Sequence, residues 1–258
     1  MLFPISDDNT DRHITPYINY LLIAINVLVF VMLQGMGDNL HFTYAYSTVP
    51  AEILQGIDIV TNDQLVKDAA SGQTYRLPGL QATPIPVYLT IITSMFMHGG
   101  WAHLLGNMLY LWIFGDNIEN RIGHFRYLLF YVVCGVIASL THVFTTNFLG
   151  HDTLVASLGA SGAISGVLGS YLLLFPRRKV HALFLGIFMV TVPSVVALGL
   201  WIVFQLLSGF GSIGASGGGV AYGAHIGGFI AGLVLIKFFD PGPGVLKAKQ
   251  TYRSKRFR

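Results

Sequence analysis

Six stretches with almost no charged residue divide this chain: 16–36, 98–118, 125–147, 157–175, 181–207 and 220–239. A helix rises about 1.5 Å per residue, so each is long enough to cross the roughly 30 Å hydrocarbon core of a bilayer. The first begins at Pro16, a residue favoured in a helix's first turn. It lacks a basic leader and a small-residue cleavage site, so it reads as a retained span. The fifth, at 27 residues, predicts a tilted helix or an irregular end. The pattern predicts an all-α polytopic membrane protein, a bundle of six transmembrane helices. Its parts are an N-terminal segment 1–15, a membrane domain 16–239 with a connection 37–86, and a tail 240–258. No internal repeat is evident, which counts against an inverted-repeat transporter.

Composition supports that class. The chain is 53% hydrophobic and 10% charged, with a mean hydropathy of +0.62, against about a quarter charged in an average soluble domain. Thirty glycines suit membrane helices, where small residues let backbones approach closely. Cys134 is the single cysteine, so no internal disulfide forms. Charge sets the orientation. With the N-terminus in the cytoplasm, 13 of the 15 Lys and Arg residues fall inside, leaving Lys67 and Arg76 outside. The positive-inside rule therefore puts both termini in the cytoplasm. The basic tail lies against anionic lipid headgroups or serves only as a topology signal.

In this topology the even-numbered runs enter from the outer face. His98, His103 and Asn107 then fall in the first three turns of the second run, Ser161 in the second turn of the fourth, and His225 in the second turn of the sixth. All five share one layer, within about 15 Å of the outer surface. Polar groups inside a membrane are costly and tend to be functional. Gly159, Gly162, Gly166 and Gly169 on the fourth run, and Gly227, Gly228 and Gly232 on the sixth, allow the close helix contact that a serine–histidine pair needs. A lone Gly-x-Ser-Gly is commonly a packing motif, and a lone histidine a structural residue. The matched depth of Ser161 and His225 favours chemistry. His103 and Asn107, four apart, share a helix face and can donate to an oxyanion together with the N–H of Ser161. His98, about 140° around the helix from His103, braces the adjacent loop. His98, His103 and His225 could instead converge on a cation, as in a histidine-lined transporter. No His-Glu-x-x-His motif and no pair of mid-membrane aspartates is present.

Three separated blocks carry a resemblance. Met97-His98-Gly99-Gly100-Trp101-Ala102-His103-Leu104-Leu105-Gly106-Asn107-Met108, Gly159-Ala160-Ser161-Gly162, and Ala224-His225-Ile226-Gly227-Gly228 with Gly232 resemble the signature blocks of the rhomboid intramembrane serine proteases. The resemblance covers about 83–239. It implies a six-helix core and a Ser–His dyad without a third acid. It also implies cleavage of single-pass transmembrane proteins near the outer end of their membrane segment. By motif, Ser161 is the nucleophile, His225 the general base, His103 and Asn107 the oxyanion donors and His98 a supporting histidine. Gly162, Gly228 and Gly232 fall in the same blocks. Gly115 to Gly123 resembles the family's turn after span two, with Glu119 anchoring the cytoplasmic loop. Trp201 is similar to the aromatic beside the substrate gate.

The chain departs from the pattern in two places. Ser165 stands where some members carry a tyrosine that stacks on the catalytic histidine, so support for His225 must come from elsewhere. The first loop lacks the family's Trp-Arg pair. The expected enzyme needs no cofactor, metal or nucleic acid, and its partners are its substrates and membrane lipid. It sits in a bacterial inner membrane, with the glycine-rich stretch Gly209–Gly219 as a mobile lid. The rival of the same fold is a non-catalytic adaptor that binds transmembrane helices without cutting them.

Overall fold

Pro16 starts the first long helix, and the nonlocal pairing of the residues before it makes the first departure from an all-helical chain. The computed structural model describes residues 2–67, 74–211 and 221–242. Strand β1 (Leu2–Asp7) precedes α1 (Tyr17–Leu28), which continues as a wider π turn through Val29–Leu33. The connection 37–86 contains α2 (Leu40–Tyr46), α3 (Pro50–Gln55) and a hairpin, β2 (Gln64–Lys67) with β3 (Thr74–Leu77). After the short α4 (Thr90–Thr93) comes α5 (Trp101–Tyr110), which runs on through a π turn at Leu111–Gly115 into α6 (Asp116–Ile122). Gly123, at φ +85°, then turns the chain directly into α7 (His124–Phe148), a left-handed conformation that favours glycine.

At the centre stands α8 (Ser161–Leu174), buried at every residue from Gly162 through Tyr171. It is followed by β4 (Lys179–Phe184), β5 (Phe188–Pro193), α9 (Ser194–Gly211) and α10 (Tyr222–Phe239). Helices α7, α9 and α10 are each long and apolar enough to cross a membrane, whereas Tyr17–Leu33 and Ser161–Leu174 are shorter apolar helices. Leu200, Val203, Phe204, Leu207 and Phe210 of α9 face outward. So large an apolar exterior fits lipid and not water; the chain is a membrane protein.

The fifth apolar run is not one helix. Its first part is the β4–β5 hairpin, paired antiparallel, with β1 added along the other edge of β4 to give the order β1-β4-β5. Val180 and Ala182 point inward from β4 with their neighbours turned out, the period-two alternation of a half-buried strand. An apolar run long enough to span reads as a helix when its pairing partner lies far away in sequence. The other runs shift at their starts. The second helix begins at Trp101, leaving His98 in the turn before it. The fourth begins at Ser161, so the serine is its first residue, and His225 lies in the first turn of α10.

Arg12, Arg121 and Arg178 gather at one end of the bundle. Arg12 pairs with Asp116 at 2.8 Å, Arg121 makes a two-pronged contact with Asp240 at 2.8 and 3.0 Å, and Arg178 pairs with Asp11. Glu119, fully buried, accepts the N–H groups of Ile18 and Asn19 at 3.0 and 2.7 Å and meets His124 Nδ1. Its carboxylate thus caps the start of α1, where free N–H groups and the helix dipole favour negative charge. Tail residues from 243 onward lie outside the described residues.

Asp7 of β1 is set into the same polar cluster, accepting from Tyr171 Oη and from Asn117 Nδ2. Burial, reinforced by the Asp116 carboxylate, pushes its carboxyl up to about 7, against the pull of the Tyr171 hydrogen bond and of Arg178. The unfolded chain releases this proton near pH 3.9. Between about pH 4 and 7 the folded state therefore holds a proton that the unfolded state has lost, and stability falls as pH rises through that window. Asp7→Asn should flatten this part of a Tm–pH profile recorded in detergent. An identical slope in the variant would remove Asp7 as its source.

Candidate active site

Ser161 opens α8, and Ala160 before it supplies no side-chain cap. The first N–H groups of a helix have no intrahelical acceptor. Those of Ser161, Gly162 and Ala163 meet no backbone acceptor among the described residues and carry the positive end of the helix dipole. Around them lies a small cavity of about 20 Å³, lined in part by Ser94, Ser139, Ser157, Ser161, Ala221 and Ala224. That is room for a single water molecule.

The loop leading into Ser161 is held from two sides. Thr48 and Ser157 exchange backbone hydrogen bonds of 3.0 and 2.8 Å, and Gly159 N–H donates to Ser94 O at 2.9 Å. Thr48 Oγ1 also meets Thr90 O at 3.0 Å and Ser94 Oγ at 2.8 Å. The long connection after the first helix is therefore part of the frame that aims the serine. Gly159 is required twice over. Its φ is +130°, and a Cβ there would sit 2.9 Å from both Cε1 and Nε2 of His103 and 3.6 Å from Ser161 Oγ. The imidazole edge and the hydroxyl thus flank one glycine.

His103 presents a defined face. Its Nδ1 accepts the N–H of Gly99 at 3.3 Å. The neutral ring therefore carries its proton on Nε2, the nitrogen beside Gly159. One turn on, Asn107 is buried and its Nδ2 has no partner among the described residues. A buried donor left unpaired is costly, and a native structure that keeps one invites a ligand as the reason. His98 is fully buried, 5.1 Å edge-on from the His103 ring, and neither ring nitrogen has a hydrogen-bond partner among the described residues. Its backbone is clamped by Gln34, whose amide accepts from His98 N–H at 2.9 Å and donates to His98 O at 3.0 Å.

His225 reaches the site from α10. The two helices are so close that a Cβ on Gly162 would lie 3.7 Å from the Cβ of Ala224, which puts Ser161–Gly162 beside Ala224–His225. Trp201 lies alongside the His225 ring at 6.0 Å, tilted 37°, and Gln205 Oε1 is 2.7 Å from His225 Nδ1. Ser165 takes no part in this support; its Oγ donates to Ser161 O at 2.6 Å. Among the described residues Ser161 Oγ and His225 are not hydrogen bonded. No group of three or more His, Cys, Asp or Glu comes together among them to hold a metal ion. Glu119 lies apart from the serine, at the start of α1, while Gly228 and Gly232 lie at the crossing of α10 with α8. The proposed lid falls largely on 212–220, outside the described residues.

The sequence reading missed Gln34, Gln205 and the Thr48–Ser94 pair. Gln205 had a signal: it is an uncharged polar residue deep in an apolar run, four positions after Trp201 and so on the same helix face.

A fold of apolar helices around a serine at an uncapped helix start, with histidines from two other helices, defines an integral membrane protein with a polar site set among its helices. Residues 86–240, more than half of the chain, match the family model of the Rhomboid domain. The chain belongs to the rhomboid family. It is 30% identical over 224 residues to Rhomboid protein 1, mitochondrial, of Saccharomyces cerevisiae, covering 84% of this chain and 60% of that one. It is 27% identical over 213 residues to Rhomboid protease GluP of Bacillus subtilis, 82% of this chain and 35% of that one. Rhomboid-like protein 11, chloroplastic, of Arabidopsis thaliana is 31% identical over 170 residues, 61% of this chain and 55% of that one. The chain thus spans less than two thirds of the length of these relatives.

Proposed function

We propose that this protein is an intramembrane serine endopeptidase that cleaves single-pass transmembrane proteins near the outer end of their membrane segment. The observation that carries the reading is the Ser161 hydroxyl, placed at the free N-terminus of α8 beside a small cavity, with the His103 imidazole edge against the same Gly159. His225 Nε2 takes the proton from Ser161 Oγ as Oγ bonds to the scissile carbonyl carbon, and the carbonyl electron pair moves onto oxygen. Three donors then hold that oxyanion: the N–H of Ser161, Asn107 Nδ2 and the Nε2–H of His103. On collapse the C–N bond breaks and the leaving amine takes the proton from His225. Water, activated by the same imidazole, hydrolyses the acyl-enzyme and regenerates the serine.

Proteolysis is carried here partly by likeness to a relative named as a protease, GluP. The orientation rests on charge: Arg12, Arg121 and Arg178 gather at the end of the bundle away from Ser161, so that end faces the cytoplasm by the positive-inside rule. Six crossings of a bacterial inner membrane, with both termini on the cytoplasmic side, complete the proposal.

The missing hydrogen bond between Ser161 and His225 favours the rival adaptor, whose work needs no activated hydroxyl. In an unliganded protease, catalytic hydrogen bonds are often long and tighten with substrate. A fluorophosphonate probe separates the two. The protein in detergent should be labelled covalently and Ser161→Ala should not; no labelling of the wild-type serine defeats the protease. Asn107→Ala should lower kcat by about 10- to 1000-fold through loss of an oxyanion donor. Normal turnover would exclude that side chain from the site.

A further inference from the structure

A dyad without an acid leaves two tasks unassigned: choosing which nitrogen of the histidine holds the proton, and holding the ring in place. We infer that Gln205 performs both, as a neutral positioning residue behind His225. The inference rests on the protease reading of the same site.

The amide oxygen of Gln205 stands 2.7 Å from His225 Nδ1. An amide oxygen only accepts, so Nδ1 must carry the hydrogen and Nε2 is left with a free lone pair. This is the tautomer that can take a proton from a serine. Gln205 is itself buried, at 6% exposure. It sits on α9 one helical turn from Trp201, whose ring lies 6.0 Å from that of His225 and also 6.0 Å from that of Phe229. One helix thus supplies both a hydrogen bond to the edge of the imidazole and an aromatic beside it. This answers the absence of an aromatic at Ser165.

The site then holds two histidines fixed in opposite tautomers. Gly99 N–H forces the His103 proton onto Nε2, where it is a donor; Gln205 forces the His225 proton onto Nδ1, so its Nε2 is an acceptor. The outer side of the helix that supplies Gln205 is exposed at Val195, Leu200, Phe204, Leu207 and Phe210.

The choice of an amide over a carboxylate has a physical reason. Behind a histidine in water-poor surroundings, a charged carboxylate pays a large desolvation cost, while an amide fixes the tautomer at no charge. The imidazolium formed during attack then gains only a dipole as its partner, so a slow enzyme follows.

The test uses the full chain in detergent with a single-pass transmembrane substrate and two substitutions. Gln205→Leu keeps the bulk and removes the acceptor; kcat should fall by about 100-fold with KM changed little, since only the base is affected. Gln205→Glu restores the acceptor with a charge that stabilises the imidazolium. It should cleave, with the acid limb of its kcat–pH profile displaced to higher pH than in wild type. The other titratable groups near His225 are His103 of α5 and His142 of α7. They are common to all three proteins, so the displacement reports position 205.

Nitrogen-15 NMR of histidine-labelled protein reads the tautomer without any activity. His225 should carry its proton on Nδ1 in wild type and lose that preference in Gln205→Leu. Wild-type kcat in the Leu variant, an unmoved profile in the Glu variant, or a wild-type proton on Nε2 would each overturn the inference. Failure of the protease reading looks different: no cleavage depends on Ser161 in the wild type, and the nitrogen spectrum alone then decides the tautomer.

Discussion

On the protease reading, Ser161→Ala should give a folded protein whose cleavage of transmembrane substrates falls to the uncatalysed background. The substitution removes one oxygen that makes no hydrogen bond among the described residues, and it leaves the backbone carbonyl that accepts from Ser165 Oγ in place. Stability should therefore change little, because no buried partner is orphaned. Activity should vanish, because Ser161 is the residue that opens α8 and its hydroxyl is the nucleophile of the proposed reaction. His225→Ala should lose as much, and the double variant no more than either single one, since nucleophile and base act as a unit. Turnover and thermal unfolding measured on the same preparations separate lost chemistry from lost fold. Cleavage that persists in Ser161→Ala, with the protein free of contaminating protease, ends the mechanism.

Much of this arrangement could be read before any coordinates. A depth argument that needs only helix rise and charge bias singles out Ser161, His103, Asn107 and His225 in the sequence, and the small residues of the fourth and sixth runs predict the close crossing that α8 and α10 make. What stayed hidden was nonlocal. The β4–β5 hairpin lies in a run apolar enough to imitate a span, and its order depends on β1, more than 170 residues earlier in register at Leu2 and Phe184. The frame around Ser161 is built from backbone groups of Thr48, Ser94 and Ser157, and no side-chain pattern advertises a backbone hydrogen bond. Gln205 was visible as a polar residue out of place, but its meaning required the His225 ring to be placed first. Residues 37–86 read in sequence only as a connection between two spans, because their work is done through main-chain contacts and short helices.

Gly232→Val should unfasten the bundle, and the glycines themselves show why. A Cβ at Gly232 would stand 2.0 Å from the carbonyl oxygen of Gly166, one at Gly228 2.1 Å from that of Gly162, and one at Gly169 2.2 Å from that of Phe229. In each case the obstacle is backbone of the facing helix, which cannot rotate away as a side chain can. Helices α8 and α10 must separate, and the Ser161–His225 approach opens with them. Helix propensity alone predicts the reverse sign, since replacing a mid-helix glycine by alanine favours the helix by about 1 kcal/mol. Gly199 of α9 supplies the control, having nothing within 4 Å of its Cβ position. Gly199→Ala should hold or raise the Tm, while Gly232→Ala lowers it by an overpacking cost of about 1–3 kcal/mol and Gly232→Val lowers it further. Matching shifts at the two sites would mean that propensity and not contact governs both, and the serine and histidine would then owe their proximity to something other than bare backbone packed on backbone.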